Sequence, residues 1–526
     1  MRFLTFILTL LTVLTPSFAP GAVAPLSKAE LNASAAVIVT GKVAEFTVTS
    51  GLSGALEIKL EVASVIKGDV KAGTTLRVVS SSVSLKKIHV PIPGPQGLSP
   101  LPQKGDFVTA WLNPSAANAG GNIDRTYAPI LPNGILKTVE VPKAGAKPGT
   151  KPLQVFILAG QSNMQGHAKV STFEHIGMDP ATKPMLAEML GADGKPKVCE
   201  RVWISSIGCA EAEQTGKLTA GFGATTGKIG PEFTFGIYME KFTDAPILLI
   251  KTSWGGKSLN TDFRPPGAGP YVFNETQLAA FQKQGKDVAA MKAEKAAATG
   301  VSYRLMVEHV KVVLADLKRV VPGYDAAQGY ELAGFAWFQG WNDLVDGSTY
   351  PTRDKPGGYD AYSTAMAHFI RDVRKDLNAP ELPFVIGVLG VGGPTADYGP
   401  DQQRYKTIHQ NFRDAMAAPA LLPEFKGNVA TVLAEKYWDL ELTAAKAKEN
   451  EIKERSKKLA KEGNLMSAEE KAALEKLRSE GLTERERLVM EKGISNLEFH
   501  YLGSAKILGG VGKGLAEAMA ELKKTK

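Results

Sequence analysis

The chain has 526 residues, 44% hydrophobic and 22% charged, with 62 lysines and arginines against 54 acidic residues, a formal net charge of +8. That length exceeds one ordinary hydrophobic core, so two domains, or one domain with large insertions, are expected of what is a globular composition. The positive balance fits an anionic partner such as an acidic polysaccharide or a cell surface, and the lack of any recognition motif argues against nucleic acid.

Residues 1–24, MRFLTFILTLLTVLTPSFAPGAVA, run from one arginine through an apolar stretch to small residues, the pattern of a secretory signal peptide. No later segment approaches the roughly 18 uninterrupted apolar residues of a spanning helix. A secreted or periplasmic protein, off the membrane after signal removal, is expected. From 33 to 140, short apolar runs such as AAVIVTGKVAEFTVTS, ALEIKLEVASVIKGDV and DFVTAWL alternate with Gly-containing turns. Period-two alternation rich in β-branched residues predicts a small all-β module, similar to a barrel of the OB or netrin-like kind, in which PIPGPQGLSPLP (91–102) is a loop. VPKAGAKPGTKP, 141–152, reads as a linker.

An α/β domain is expected from 153 to 526. Its first strand, in VFILAGQSNMQ (155–165), is followed by strand candidates PILLIK (246–251), AGFAWFQ (333–339), FVIGVLG (384–390) and NVATVLA (428–434). Between them, 302–321 and 359–377 repeat apolar residues at three and four positions, as helices do. Strand and helix in alternation predict a parallel, doubly wound sheet. Residues 440–492 carry charges of both signs at helical spacing with sparse Leu, Met and Ile, which predicts an inserted, solvated pair of antiparallel helices.

Two cysteines occur, Cys199 and Cys209. Export allows a disulfide between them, and two free thiols are the other reading. Neither has zinc-site spacing, and the seven histidines form no H-E-x-x-H or comparable cluster, so no catalytic metal is expected.

The chemistry collects where strands end. Ser162 follows the first strand in a tight turn, a position that faces the ligand crevice of an open α/β sheet, although Gly-Gln-Ser-Asn is also ordinary cap composition. The G-x-S-x-G elbow is ruled out by Met164. The segment resembles block I of the SGNH hydrolases in its GQSNM form, found in sialate O-acetylesterases and related acetylxylan esterases, and the resemblance makes Ser162 the nucleophile. After the second strand, KTSWGGKSL resembles block II, with Gly256 as an oxyanion donor. After the third, Gly340-Trp341-Asn342-Asp343 matches the G-x-N-D of block III; the Asn342 amide can donate to a developing oxyanion without any change of charge. This block usually reads QGE in the sialate-esterase branch, and here Trp341 replaces the glutamate. Gln161, Gln339 and Trp341 are the candidate substrate contacts, Trp341 as an aromatic face for a sugar.

The base is expected at His500, which follows the fifth strand and precedes a closing helix, where block V lies. His309 and His368 fall in helical patterns and read as structural, and His167 is placed down the helix that follows Ser162. Block V is D-x-x-H, and Leu497 stands where the aspartate belongs. Glu498 ranks first as the orienting acid, Asp439 second, and a Ser-His dyad with a weak bond from Asn496 third. The resemblance implies a three-layer α/β/α fold of flavodoxin-like kind, no cofactor, and removal of O-acetyl groups from carbohydrates through an acyl-serine. A non-catalytic carbohydrate-binding protein with a degenerate site is the alternative that the missing aspartate raises.

Overall fold

The computed structural model describes residues 31, 33–48, 55–81, 104, 107–114, 126–129, 135–137, 151–463 and 466–524. The signal peptide expected at 1–24, the proline-rich stretch 91–102 and most of the linker 141–152 lie outside the described residues. The chain divides into two units, 1–140 and 141–526.

In the first unit, strands β1 (Val37–Val48), β2 (Ala55–Lys67), β3 (Thr75–Ser81), β4 (Phe107–Pro114), β5 (Thr126–Pro129) and β6 (Ile135–Lys137) run in the order β1-β2-β3-β5-β4-β6. β1 pairs with both β2 and β4, so five of the strands close on themselves and lose their open edges. The alternation is visible in β2: Ile58, Leu60 and Val62 are buried, while Lys59 and Glu61 between them face solvent.

The second unit is built on a sheet of seven strands, labelled in chain order: β7 (Leu153–Gly160), β9 (Val202–Ile207), β10 (Gln214–Lys217), β12 (Ile247–Ser253), β13 (Tyr330–Phe338), β14 (Phe384–Val388) and β15 (Val429–Leu433). β8 (Ala168–Lys169) and β11 (Lys228–Ile229) form a separate two-stranded ribbon. The sheet order is β10-β9-β12-β7-β13-β14-β15, parallel except for β10, which is antiparallel to β9. Five strands were expected from the sequence. The two not foreseen are β9, whose VWISSI run is broken by Ser205 and Ser206, and its edge partner β10, which contains no strongly apolar residue.

The principal helices are α1 (Ser162–Gln165), α2 (Pro231–Phe242), α3 (Val301–Ala315), α4 (Asp360–Asp376), α5 (Lys406–Ala417), α6 (Leu440–Gly463), α7 (Ser467–Gly481), α8 (Glu484–Gly493) and α9 (Ala505–Lys524). They cover both faces of the sheet. Gly334 of β13 abuts Met519 of α9, while the next residue, Phe335, meets Phe369 of α4 from the opposite face. On β7, buried along its whole length, Phe156 packs edge-on to Phe235 of α2. Such a strand, covered on both sides, reads as a continuous apolar run.

The charged stretch 440–492 folds as three helices, α6 to α8, rather than as a pair. Gly481 ends α7, and Thr483 with Glu486 forms a reciprocal capping box that starts α8. Arg478 pairs with Glu449, Lys448 with Glu486 and Arg485 with Glu441, joining the helices to one another.

Candidate active site

β7 ends at Gly160, where an added Cβ would collide with the Phe338 carbonyl of β13 and with Met164. The close approach therefore requires glycine. Gln161 then adopts an extended conformation and caps α1, its Oε1 accepting from Asn163 N–H at 3.0 Å. Gly166, at φ 87°, ends the helix after one turn and lies against Gly230. Ser162 is thus the first residue of a one-turn helix at the carboxyl end of the central strand. Gln161 Nε2 donates to its Oγ at 3.3 Å. Ser253 and Phe338 are level with Gly160 in the sheet, so the turns after β12 and β13 open at the same height as Ser162.

Those two turns are tied together by Asp343. Its buried carboxylate accepts from Leu259 N–H (2.8 Å), Asn260 N–H (3.1 Å), Gln339 Nε2 (2.6 Å) and Tyr350 OH (3.0 Å). Burial pushes the carboxyl up to about 6, and the four donors act against that rise. The loop after β12 is thereby fixed to the helix that begins at Trp341. Gly256 sits exposed in that loop at φ 73°, and Asn342 is half-buried. Among the described residues, no hydrogen bond engages the Gly256 N–H or the Asn342 amide, so both remain available to a ligand.

His500 lies in the turn Glu498–Gly503, which packs against α1. The turn is closed by Ser495 and Asn496 N–H donating to the Leu502 carbonyl at 2.9 and 3.0 Å. Tyr501 and Leu502 hold left-handed φ values of 53° and 59°, a cost offset by burial of Tyr501 and by Gly390 N–H donating to its hydroxyl at 3.0 Å. Asn496 Oδ1 lies 2.9 Å from His500 Nδ1. With that oxygen as acceptor, Nδ1 carries the proton and Nε2 keeps the lone pair that a general base needs. Burial, with the charge of Lys228 adding to it, lowers His500 to about 4. Ring contacts run from Trp341 to Phe499 (5.7 Å), Phe499 to His500 (4.4 Å) and His500 to His167 (3.8 Å, stacked with their planes parallel).

Several residues proposed from the sequence are placed elsewhere or used otherwise. Glu498, expected to orient His500, pairs with Lys446 at 3.1 Å, and Asn496 takes the position beside Nδ1. In the one-turn geometry His500 and Glu498 do not share a face, as an extended segment would have arranged. Asp439 is buried against His175 Nε2 and Lys506 Nζ, both at 2.8 Å, and also accepts from Leu442 N–H. Burial would raise its carboxyl, but these bonds outweigh it and hold the group well below the usual carboxylate range. A surface cavity of about 460 Å³ surrounds Asp439 and Lys506 and includes neither Ser162 nor His500. Gln339 is buried, with its amide spent on the Lys257 carbonyl, Asp343 and Tyr362, and Gln161 is spent on Ser162 and Asn163. Neither glutamine is therefore a surface for substrate, whereas Trp341 remains half-exposed. His167 is not in a helix, because α1 ends at Gln165. Cys199 and Cys209 are both free, and burial pushes the Cys199 thiol up to about 12.

The family model described as carbohydrate esterase, sialic acid-specific acetylesterase, matches residues 152–437, more than half of the chain. The chain belongs to that family. The matched stretch holds Ser162, Gly256 and Asn342 and stops before His500. No curated protein matches the chain. Among solved structures, a protein from Arabidopsis thaliana shares 18% identity over 54% of this chain and 86% of its own, with a TM-score of 0.30. A carbohydrate acetylesterase from Xanthomonas citri shares 11% identity over 75% of this chain, with a TM-score of 0.29. The chain spans 61% of that protein's length.

Two residues beside His500 carry a weaker signal in the sequence than their place in the structure warrants. Asn496 ranks last in the sequence as a partner of His500 because its amide is uncharged. The sequence places His167 down the helix after Ser162 only if α1 runs on, and Gly166, one residue before it, is a helix-stop signal. Among the described residues, no group of three potential metal ligands occurs and no helix is long and apolar enough to cross a membrane.

Proposed function

We propose that this member of the carbohydrate esterases removes O-acetyl groups from carbohydrates through an acyl-enzyme on Ser162. The observation that carries the reading is the packing of the Ser162 turn against the turn that holds His500, whose Nδ1 is fixed by Asn496. Ser162 Oγ attacks the acetyl carbonyl while His500 Nε2 takes its proton. The oxyanion is met by the Gly256 N–H and the Asn342 amide. His500 then returns the proton to the departing sugar hydroxyl, and water repeats the cycle to release acetate. Asn496 fills the orienting place that Glu498 had been given. An amide aligns the ring as a carboxylate does but stabilises the imidazolium less. Export of the chain and a barrel-like accessory role for the first unit belong to the same reading, supported by the apolar amino terminus and by the order of β1 to β5.

Acetate release from a panel of acetylated xylan, acetylated sialic acid and acetylated algal polysaccharides tests the reading and ranks the substrates. A serine-directed phosphonate should label Ser162, and Ser162→Ala should abolish hydrolysis of an aryl acetate. The alternative, a sugar-binding protein with a degenerate site, is favoured by the uncharged Asn496. It predicts saccharide binding with no turnover and no labelling.

A further inference from the structure

The ribbon of β8 and β11 lies beside the His500 turn: Lys169 N–H donates to Ser495 Oγ at 3.1 Å, and β8 packs against Glu498–Gly503. Its register pairs Lys169 with Lys228 and Ala168 with Ile229. Cross-strand partners project from one face of an antiparallel pair. Ala168 and Ile229 take the buried face, so the two lysines share the other. His167, just before β8, lays its ring on that of His500. Lys228 is half-buried, and its charge helps to lower both histidines, His167 to about 4 after the larger effects of burial and of His500.

Like charges directly opposed on a ribbon repel, and neither lysine has a carboxylate partner among the described residues. Lys251, Lys257 and Lys506 of the same unit each hold one, Glu232, Asp262 and Asp439 respectively. A local rule broken without compensation, beside a candidate catalytic base, marks a place where a ligand supplies what is missing. We propose that Lys228 and Lys169 form an anion-reading subsite, which takes a carboxylate or sulfate group on the saccharide whose acetyl ester is presented to Ser162. The inference rests on the esterase reading for the ester. The charge pair itself is a binding site and can be tested without turnover.

Calorimetric titration of the full chain carrying Ser162→Ala with glucuronic acid, glucose 6-sulfate and glucose measures the subsite directly. The anionic sugars are expected to bind roughly tenfold more tightly than glucose, the better of the two identifying the group that is read. The preference should disappear on adding Lys169→Gln and Lys228→Gln together, survive Lys228→Arg, and fade in about 0.5 M salt. Glucose bound as tightly as the anionic sugars, or a preference that persists in the double variant, overturns the proposal. In turnover, the ratio of kcat/KM for acetylated glucuronic acid to that for acetylated glucose should fall about tenfold in Lys228→Gln, and an unchanged ratio also overturns it. If the intact chain releases acetate from neither sugar, the esterase reading fails, while the titration still decides the subsite.

Discussion

Replacing Asn496 tests how His500, the proposed base, is set. Asn496→Ala removes the acceptor 2.9 Å from His500 Nδ1. In the resting site that is a neutral hydrogen bond, worth about 0.5–1.5 kcal/mol net. Once His500 has taken the serine proton, the donor is charged and the bond is worth about 1.5–3 kcal/mol. The transition state loses about 1–1.5 kcal/mol more than the ground state, so kcat/KM should fall roughly five- to fifteenfold, with most of the loss in kcat. Asn496→Asp keeps the acceptor and adds a charge. His500 must be neutral to act as a base, and its neutral form is lost as pH falls through its pKa. The wild-type acid limb should therefore lie near pH 4, where burial places the imidazole. A carboxylate at position 496 favours the imidazolium and should move that limb up by about 1–3 pH units. The assay is the pH dependence of kcat/KM for an aryl acetate, with thermal melting to confirm the fold. Wild-type turnover by Asn496→Ala, or an acid limb that Asn496→Asp leaves in place, would refute the assignment.

Asn342→Ala should lower kcat by about a hundredfold or more with little change in KM, because the interaction is made mainly in the transition state; an unchanged kcat removes Asn342 from the oxyanion site. Glu498→Gln should stay within a few-fold of wild type, because its carboxylate is engaged with Lys446 on the surface. A loss of orders of magnitude in that variant would return Glu498 to the mechanism. Asp439→Asn should instead act on stability, since it leaves Lys506 and His175 without their buried anion. Because Lys506 keeps Asp179 at 2.9 Å, chemical denaturation should show a cost of about 1–3 kcal/mol, and a variant as stable as wild type contradicts the packing described.

The strands β7, β12, β13, β14 and β15 were legible because each is a short apolar run bounded by turn residues, a pattern that burial on both faces imposes on the inner four, while the edge strand β15 is only partly buried. β10 was not, because an edge position relaxes the need for an apolar run, and β9 was not, because the buried Ser205 and Ser206 interrupt its apolar run although it lies inside the sheet. The third helix of the charged insertion was written in Gly481, Thr483 and Glu486, but a capping box is a weak signal inside a stretch already helical in composition.

By itself, the sequence determined the strand ends that carry Ser162, Gly256 and Asn342, because glycine and polar residues after an apolar run mark where a buried strand must turn. Which group orients His500 was decided by tertiary structure. Glu498, Asp439 and Asn496 are all polar and all near His500 or the last strand, and chain distance cannot rank them. The left-handed turn at Tyr501 and Leu502 places Asn496 against Nδ1, Lys446 engages Glu498, and the pairing with His175 and Lys506 takes Asp439 into another cluster. A hydrogen bond depends on the direction in which a side chain leaves a folded turn, and that direction is set by contacts from residues far away in the chain.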